Sequence, residues 1–186
     1  MKSISSLLLL LVCVFPSSCE EKTRGVGPVK VEVGKEAPDF EFEDLASGKQ
    51  SKLSDFKGKV VVAKFWWSKC SLCNDKMDHM QTFIAEHAEW KDEVVYLAVS
   101  VDPTIEGAKR HVAAVEKEED RSWAKTRNSW HDSRAGKSPI YLAYAAETGI
   151  PVSYVIDRSG MVTAIDSPKS PDELDLDEAV RTLLSP

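Results

Sequence analysis

Residues 60–73 read Val-Val-Val-Ala-Lys-Phe-Trp-Trp-Ser-Lys-Cys-Ser-Leu-Cys, a β-branched and aromatic run that empties into two cysteines spaced C-x-x-C. A short run of this kind predicts a strand covered on both faces, central in its sheet. From Asn74 to Trp90 the apolar residues Met77, Met80, Phe83, Ile84 and Ala88 return every three or four positions, which predicts an amphipathic helix. Cys70 and Cys73 therefore fall at a helix N-terminus, directly after a buried strand.

That location sets their chemistry. A thiolate, not a thiol, is the nucleophile, and a helix N-terminus stabilises negative charge through its free N–H groups and its macrodipole. Cys70 is the expected acidic thiol, and Lys69 beside it pushes in the same direction. In such settings a thiol pKa falls from ~8.5 to roughly 3.5–7.5. Positions i and i+3 on a turn put both sulfurs on one face, so that Cys70 can attack a disulfide and Cys73 can resolve it. The alternative, half of a zinc site, needs a second pair at ligand spacing, and no cysteine follows Cys73.

The segment Phe65-Trp66-Trp67-Ser68-Lys69-Cys70-Ser71-Leu72-Cys73 resembles the Phe-Trp-Ala-Ser-Trp-Cys-x-Pro-Cys of the TlpA-like envelope thiol:disulfide oxidoreductases, within the thioredoxin superfamily. Gly149-Ile150-Pro151-Val152-Ser153-Tyr154-Val155-Ile156-Asp157, followed by Arg158-Ser159-Gly160, resembles that family's cis-proline loop and next strand. The likeness covers residues 33–184. It implies a redoxin domain of α/β class with a thioredoxin-like fold: a central mixed sheet flanked by helices, preceded by an N-terminal hairpin. It also implies protein thiols or disulfides as substrates, a redox donor or acceptor protein as partner, and no metal or organic cofactor besides the redox-active disulfide. The Ile150–Pro151 loop should lie against the cysteines with a cis peptide bond. A proline there removes one backbone donor and leaves Ile150 free to pair with a substrate peptide.

The chain departs from the family pattern at three positions. Lys69 replaces the usual Trp before the first cysteine, and Leu72 the usual Pro before the second. Lys64 stands where thioredoxins proper carry a buried acid that relays a proton. Two readings of Lys64 stay open: a lysine snorkelling past Trp66 to solvent, or a partly buried amine that tunes a cysteine pKa or takes a proton.

At 186 residues the chain holds one well-buried domain. Lys plus Arg number 24 against 30 Asp plus Glu, a net charge of −6 with the acids spread along the chain, so there is no nucleic-acid footprint. Residues 1–19 read as an export signal. Lys2 is a short basic start, and Leu7 to Phe15 are nine apolar residues, too few to span a bilayer. Ser17-Ser18-Cys19 resembles a lipobox, in which that cysteine is acylated, although Pro16 stands where Leu is usual; plain secretion is the alternative. Residues 20–33 read as a flexible tether and 34–186 as the thioredoxin-like domain, expected to be a monomer in the periplasm or cell envelope, anchored to the membrane if Cys19 carries lipid.

Within the domain, Gly34 to Lys59 predicts a hairpin turning at Ser47-Gly48-Lys49, and Val94 to Val101 a second buried strand ending at Asp102-Pro103. A helix over Ile105 to Val115 follows. Lys117 to Pro139 is charged and aperiodic and reads as an insertion carrying Trp123, Trp130 and His131: either a docking surface, or a loop whose tryptophans cover the sheet. His131, between Trp130 and Asp132, is the histidine singled out for testing. Tyr141 to Glu147 predicts a short helix, Val152 to Ile156 and Met161 to Ile165 a hairpin, and Ser170-Pro171-Asp172-Glu173 the start of a closing helix capped by Ser170.

Two rival functions come from the same fold. Val99-Ser100-Val101-Asp102-Pro103 resembles the Sco-type copper chaperones, which use a wider cysteine spacing and a placed histidine. A thiol peroxidase would carry a Pro-x-x-x-Thr-x-x-Cys loop, which this sequence lacks.

Overall fold

The structure is a computed structural model that describes residues 30–185, apart from 119, 120, 122, 124, 135, 171 and 173. Residues 1–19, read above as an export signal and carrying Cys13 and Cys19, and most of the stretch read as a tether lie outside the described residues.

Strand β3 (Val60–Trp66) is buried at all seven positions, which is why its sequence carries no polar alternation. Its parallel neighbour β4 (Val94–Ser100) pairs with it from Val60↔Val94 to Trp66↔Ser100. Helix α1 (Ser71–Glu86) crosses between them, and α2 (Ile105–Val115) leads from β4 to β5 (Arg127–Trp130), which lies parallel on the far side of β4. The hairpin β1 (Glu41–Asp44) and β2 (Gln50–Lys52) extends the sheet beyond β5, while β6 (Val152–Ile156) and β7 (Val162–Asp166) extend it antiparallel beyond β3. The order is β2-β1-β5-β4-β3-β6-β7.

The alternation of β3 divides the core. Val60, Val62 and Trp66 pack under α1, α2 and the closing helix α4 (Leu176–Leu184). Val61, Ala63 and Phe65 face the opposite side, with Phe40, Phe42, Tyr144 and Tyr154. That side is covered by α3 (Pro139–Tyr141), which continues as one wider turn over Leu142–Ala146. Gly149, at φ +79°, ends this helical stretch by donating to the Ala145 carbonyl at 3.0 Å.

Three expectations change. The stretch 117–139 is not merely an insertion, because β5 lies inside it and joins β1 to β4. Arg-Asn-Ser-Trp has no strand signal of its own; its ladders on both sides hold it extended. Trp123 is fully buried and packs edge-on to Trp66, so it covers the core and does not serve as a docking anchor. The closing helix is capped by Asp175, whose side chain accepts from Glu178 N, and not by Ser170. The Ser170 hydroxyl is already engaged in a tight turn, accepting from Ser167 N at 3.0 Å. Val31, within the stretch read as tether, is buried in the core, and Gly34 N donates to the Val162 carbonyl.

Candidate active site

Cys70 and Cys73 are joined by a disulfide, their Cα atoms 5.2 Å apart. Cys70 is the N-cap of α1, with extended backbone, and its sulfur accepts from Cys73 N at 3.2 Å. The two sulfurs are not equivalent. Cys73 is completely buried against Trp66 and Met77, whereas Cys70 is only half-buried. An incoming sulfur therefore meets Cys70 first.

The Ile150–Pro151 peptide is cis, the geometry expected at that position. Although 80 residues from Cys70 in sequence, the Ile150 carbonyl oxygen lies 4.0 Å from its Sγ, brought there because β6 starts beside the end of β3. Trp67, Val101, Pro103, Tyr141 and Ile150 line a hollow of about 230 Å³ at this corner. Leu72, inside the cysteine spacing, is 48% exposed.

A buried acid behind the cysteine turn was not picked out by sequence reasoning. Asp102 follows β4 and is 3% exposed. Its Oδ1 accepts from Ser68 Oγ at 2.5 Å, and its Oδ2 from Ser68 N at 3.2 Å and Ser100 Oγ at 2.7 Å. Its own carbonyl accepts from Trp130 Nε1 at 2.8 Å. The available signal was an acid placed directly after an apolar strand; its partners, 34 and 28 residues away, could not be read from spacing.

Lys64 does not snorkel to solvent. It is 5% exposed and donates to Ser153 Oγ at 2.7 Å, beside a cavity of about 140 Å³ shared with Lys76, His79, Met80 and Asp166. Burial pushes its amine down to about 8; the Asp166 carboxylate opposes that shift and the Lys76 ammonium adds to it. Lys69 is exposed, its Nζ 5.9 Å from the centre of the Trp67 ring.

His131 and His111 each join separate segments. His131 spans two segments, Nδ1 lying 2.8 Å from the Glu41 carbonyl and Nε2 3.1 Å from Ser138 Oγ. The carbonyl can only accept, so Nδ1 carries the proton and Nε2 accepts from Ser138; burial holds the ring's pKa below its usual value. His111 Nε2 lies 3.0 Å from Asn74 Oδ1, next to Cys73 in sequence, with Trp66 and Trp123 beside its ring. Burial lowers its pKa too, opposed by the Asp102 carboxylate. Among the described residues no three His, Cys, Asp or Glu side chains gather as metal ligands would.

Solved structures place this arrangement in the thioredoxin-like class. The chain overlays a DsbE-type thiol:disulfide interchange protein of Chlorobium tepidum at TM-score 0.65 and 27% identity, over 84% of this chain and 100% of that one. It overlays the thioredoxin domain of a thiol-disulfide oxidoreductase of Bacteroides vulgatus at 0.61 and 23% identity, over 83% and 97%, a likeness of fold alone. The model of the AhpC/TSA family matches residues 33–165, and the chain belongs to that family. Among its relatives is the thiol-disulfide oxidoreductase ResA of Bacillus thuringiensis, 41% identical over 68 residues, or 37% of this chain. That match spans 39% of the length of ResA. The thioredoxin-like protein YneN of Bacillus subtilis is 27% identical over 164 residues, 88% of each chain.

Proposed function

We propose that this protein exchanges disulfides with protein substrates in the cell envelope, with Cys70 as nucleophile and Cys73 as resolving thiol. The unequal burial of the pair carries the reading: one sulfur is open to an incoming substrate and its partner is sealed from solvent three residues along the same turn. Starting from the reduced pair, the Cys70 thiolate attacks a substrate disulfide and expels one substrate sulfur as a thiolate. Cys73, losing its proton, attacks Cys70 Sγ and releases the second substrate sulfur. Two electrons pass to the substrate and the Cys70–Cys73 disulfide is restored. The reverse sequence oxidises a substrate dithiol, and a donor or acceptor protein resets the pair.

A substrate peptide would pair with the Ile150 backbone beside Pro151 and place a neighbouring side chain in the hollow by Trp67. Lys64 and Lys69 are the cations proposed to act on the pair. Export rests on the signal-like residues 1–19 and on the persistence of disulfides in oxidising compartments. Acylation of Cys19, a tether after it and a monomeric domain from about residue 31 complete the reading. The names of ResA and the DsbE-type neighbour agree with this chemistry. Among the described residues, no contact in the site favours the copper or peroxidase alternatives.

The test is the thiol–disulfide equilibrium of the full chain, carrying Cys13→Ser and Cys19→Ser, in graded glutathione buffers, read by mass after thiol trapping. A reversible Cys70–Cys73 disulfide is expected. A potential near ~−270 mV would mark a reductant and one near ~−120 mV an oxidant. A chain with no reversible internal disulfide would sink the reading.

A further inference from the structure

We propose that Asp102, the positioning residue that clamps the turn ahead of Cys70, sets the redox potential of the cysteine pair by keeping a negative charge behind it. The proposal rests on the disulfide-exchange reading above.

The clamp follows from register. Trp66 pairs with Ser100 at the ends of the two parallel strands, and Val101 N donates to the Trp66 carbonyl at 2.9 Å. The chain after β4 therefore runs beside the chain after β3, which brings Asp102 level with Ser68. Both carboxylate oxygens then hold Ser68, one through its hydroxyl and one through its backbone N–H. Ser68 is two residues before Cys70, so the clamp settles where the N-cap of α1 begins. Trp130 fastens Asp102 from β5 in turn.

The charge is a separate matter. A buried carboxylate is costly unless its hydrogen bonds and neighbours compensate it. The donors here are two hydroxyls and one amide, which spread the charge without cancelling it. His111 on α2, whose partner is Asn74, lies within electrostatic reach of the Asp102 carboxylate, and Lys69, next after Ser68 in sequence, is exposed. An amide side chain could clamp Ser68 equally well, so what the acid adds is its charge. Negative charge near Cys70 disfavours the thiolate, against the helix N-terminus that favours it. Because a destabilised thiolate destabilises the reduced pair, Asp102 holds the potential toward the reducing end.

The experiment compares Asp102→Asn and Ser68→Ala in the full chain, each with Cys13 and Cys19 replaced by serine. Both lose the Ser68 hydroxyl's bond to a carboxylate, but only the first loses the charge. Asp102→Asn is expected to shift the glutathione equilibrium constant about tenfold toward the reduced pair, about 30 mV for a two-electron couple. The Cys70 thiol pKa, read from the pH dependence of alkylation, should fall by roughly one unit. Ser68→Ala should stay within about twofold of the unsubstituted protein. The proposal is overturned if Asp102→Asn leaves the potential unmoved, or if Ser68→Ala moves it as far in the same direction, which would be loosening of the turn alone. Should Asp102→Asn fail to fold, Asp102→Glu, which keeps the charge while changing the clamp's reach, must leave the potential within about twofold of the unsubstituted protein's equilibrium constant; a shift as large as about tenfold would overturn the proposal. A parent protein with no reversible disulfide would instead defeat the exchange reading, an outcome separable from an unmoved variant.

Discussion

Lys64 carries its charge where little water reaches it, and that has a measurable cost. Burial brings its amine from the usual 10.5 of a free lysine to about 8. Between about pH 8 and 10.5 the unfolded chain holds a proton that the folded protein has released, so the stability of the fold rises with pH through that window. Below about pH 8 both states are protonated and the penalty is present in full. Lys64→Met is therefore expected to stabilise the protein by about 1–3 kcal/mol at pH 7, with the gain shrinking by pH 10. Urea unfolding of both proteins at the two pH values reads this directly. A gain of equal size at both would mean that the ammonium is not the source of the cost. Lys64 also marks a limit of sequence reading: its position in a buried run was plain, but only Ser153, 89 residues away and across the β3–β6 ladder, decides that the amine stays inside.

Elements were legible where their own residues pay no heed to neighbours. The strands β3, β4 and β6 are apolar runs, and α1 and α2 repeat their apolar residues at helical spacing, so each could be placed from the sequence. The cysteine turn was legible because it lies between such elements, and the cis-proline loop because Gly149-Ile150-Pro151 resembles the family's motif. Strand β5 was hidden because its four residues show no alternation, running from exposed Arg127 through half-buried Asn128 to buried Ser129 and half-buried Trp130; the partners on either side make it a strand. The Asp102 cluster was hidden because it joins three segments that meet only after the sheet has formed. Trp123, just before β5, links that strand to the helices. Its ring is fully buried and its Nε1 donates to Asp78 Oδ1 at 2.9 Å. Trp123→Ala is expected to cost about 3–5 kcal/mol, read as a lower urea midpoint. A loss below about 1 kcal/mol would mean that the segment is a surface loop after all.

At the scale of the whole molecule, the first described residues pack into the core and bond along the β7 edge of the sheet, and do not merely lead into it. Val31 is buried, Gly34 N and the Lys35 carbonyl bond to Val162, and Ala37 N bonds to the Gly160 carbonyl. Val31→Asp is expected to destabilise the fold by about 1–3 kcal/mol; an unchanged urea midpoint would return residue 31 to the tether. The same stretch continues into β1, which pairs with β5 through Glu43↔Trp130. Residues 31–45 thus bond to partners at 128–130 on one side and 160–162 on the other. These are long loops to close, and such pairings form slowly. The part of the domain that leaves the ribosome first is therefore among the last to find its place. Until residue 162 has been synthesised, the nascent chain has no complete sheet to fold into, and its leading end stays open to whatever machinery reads it.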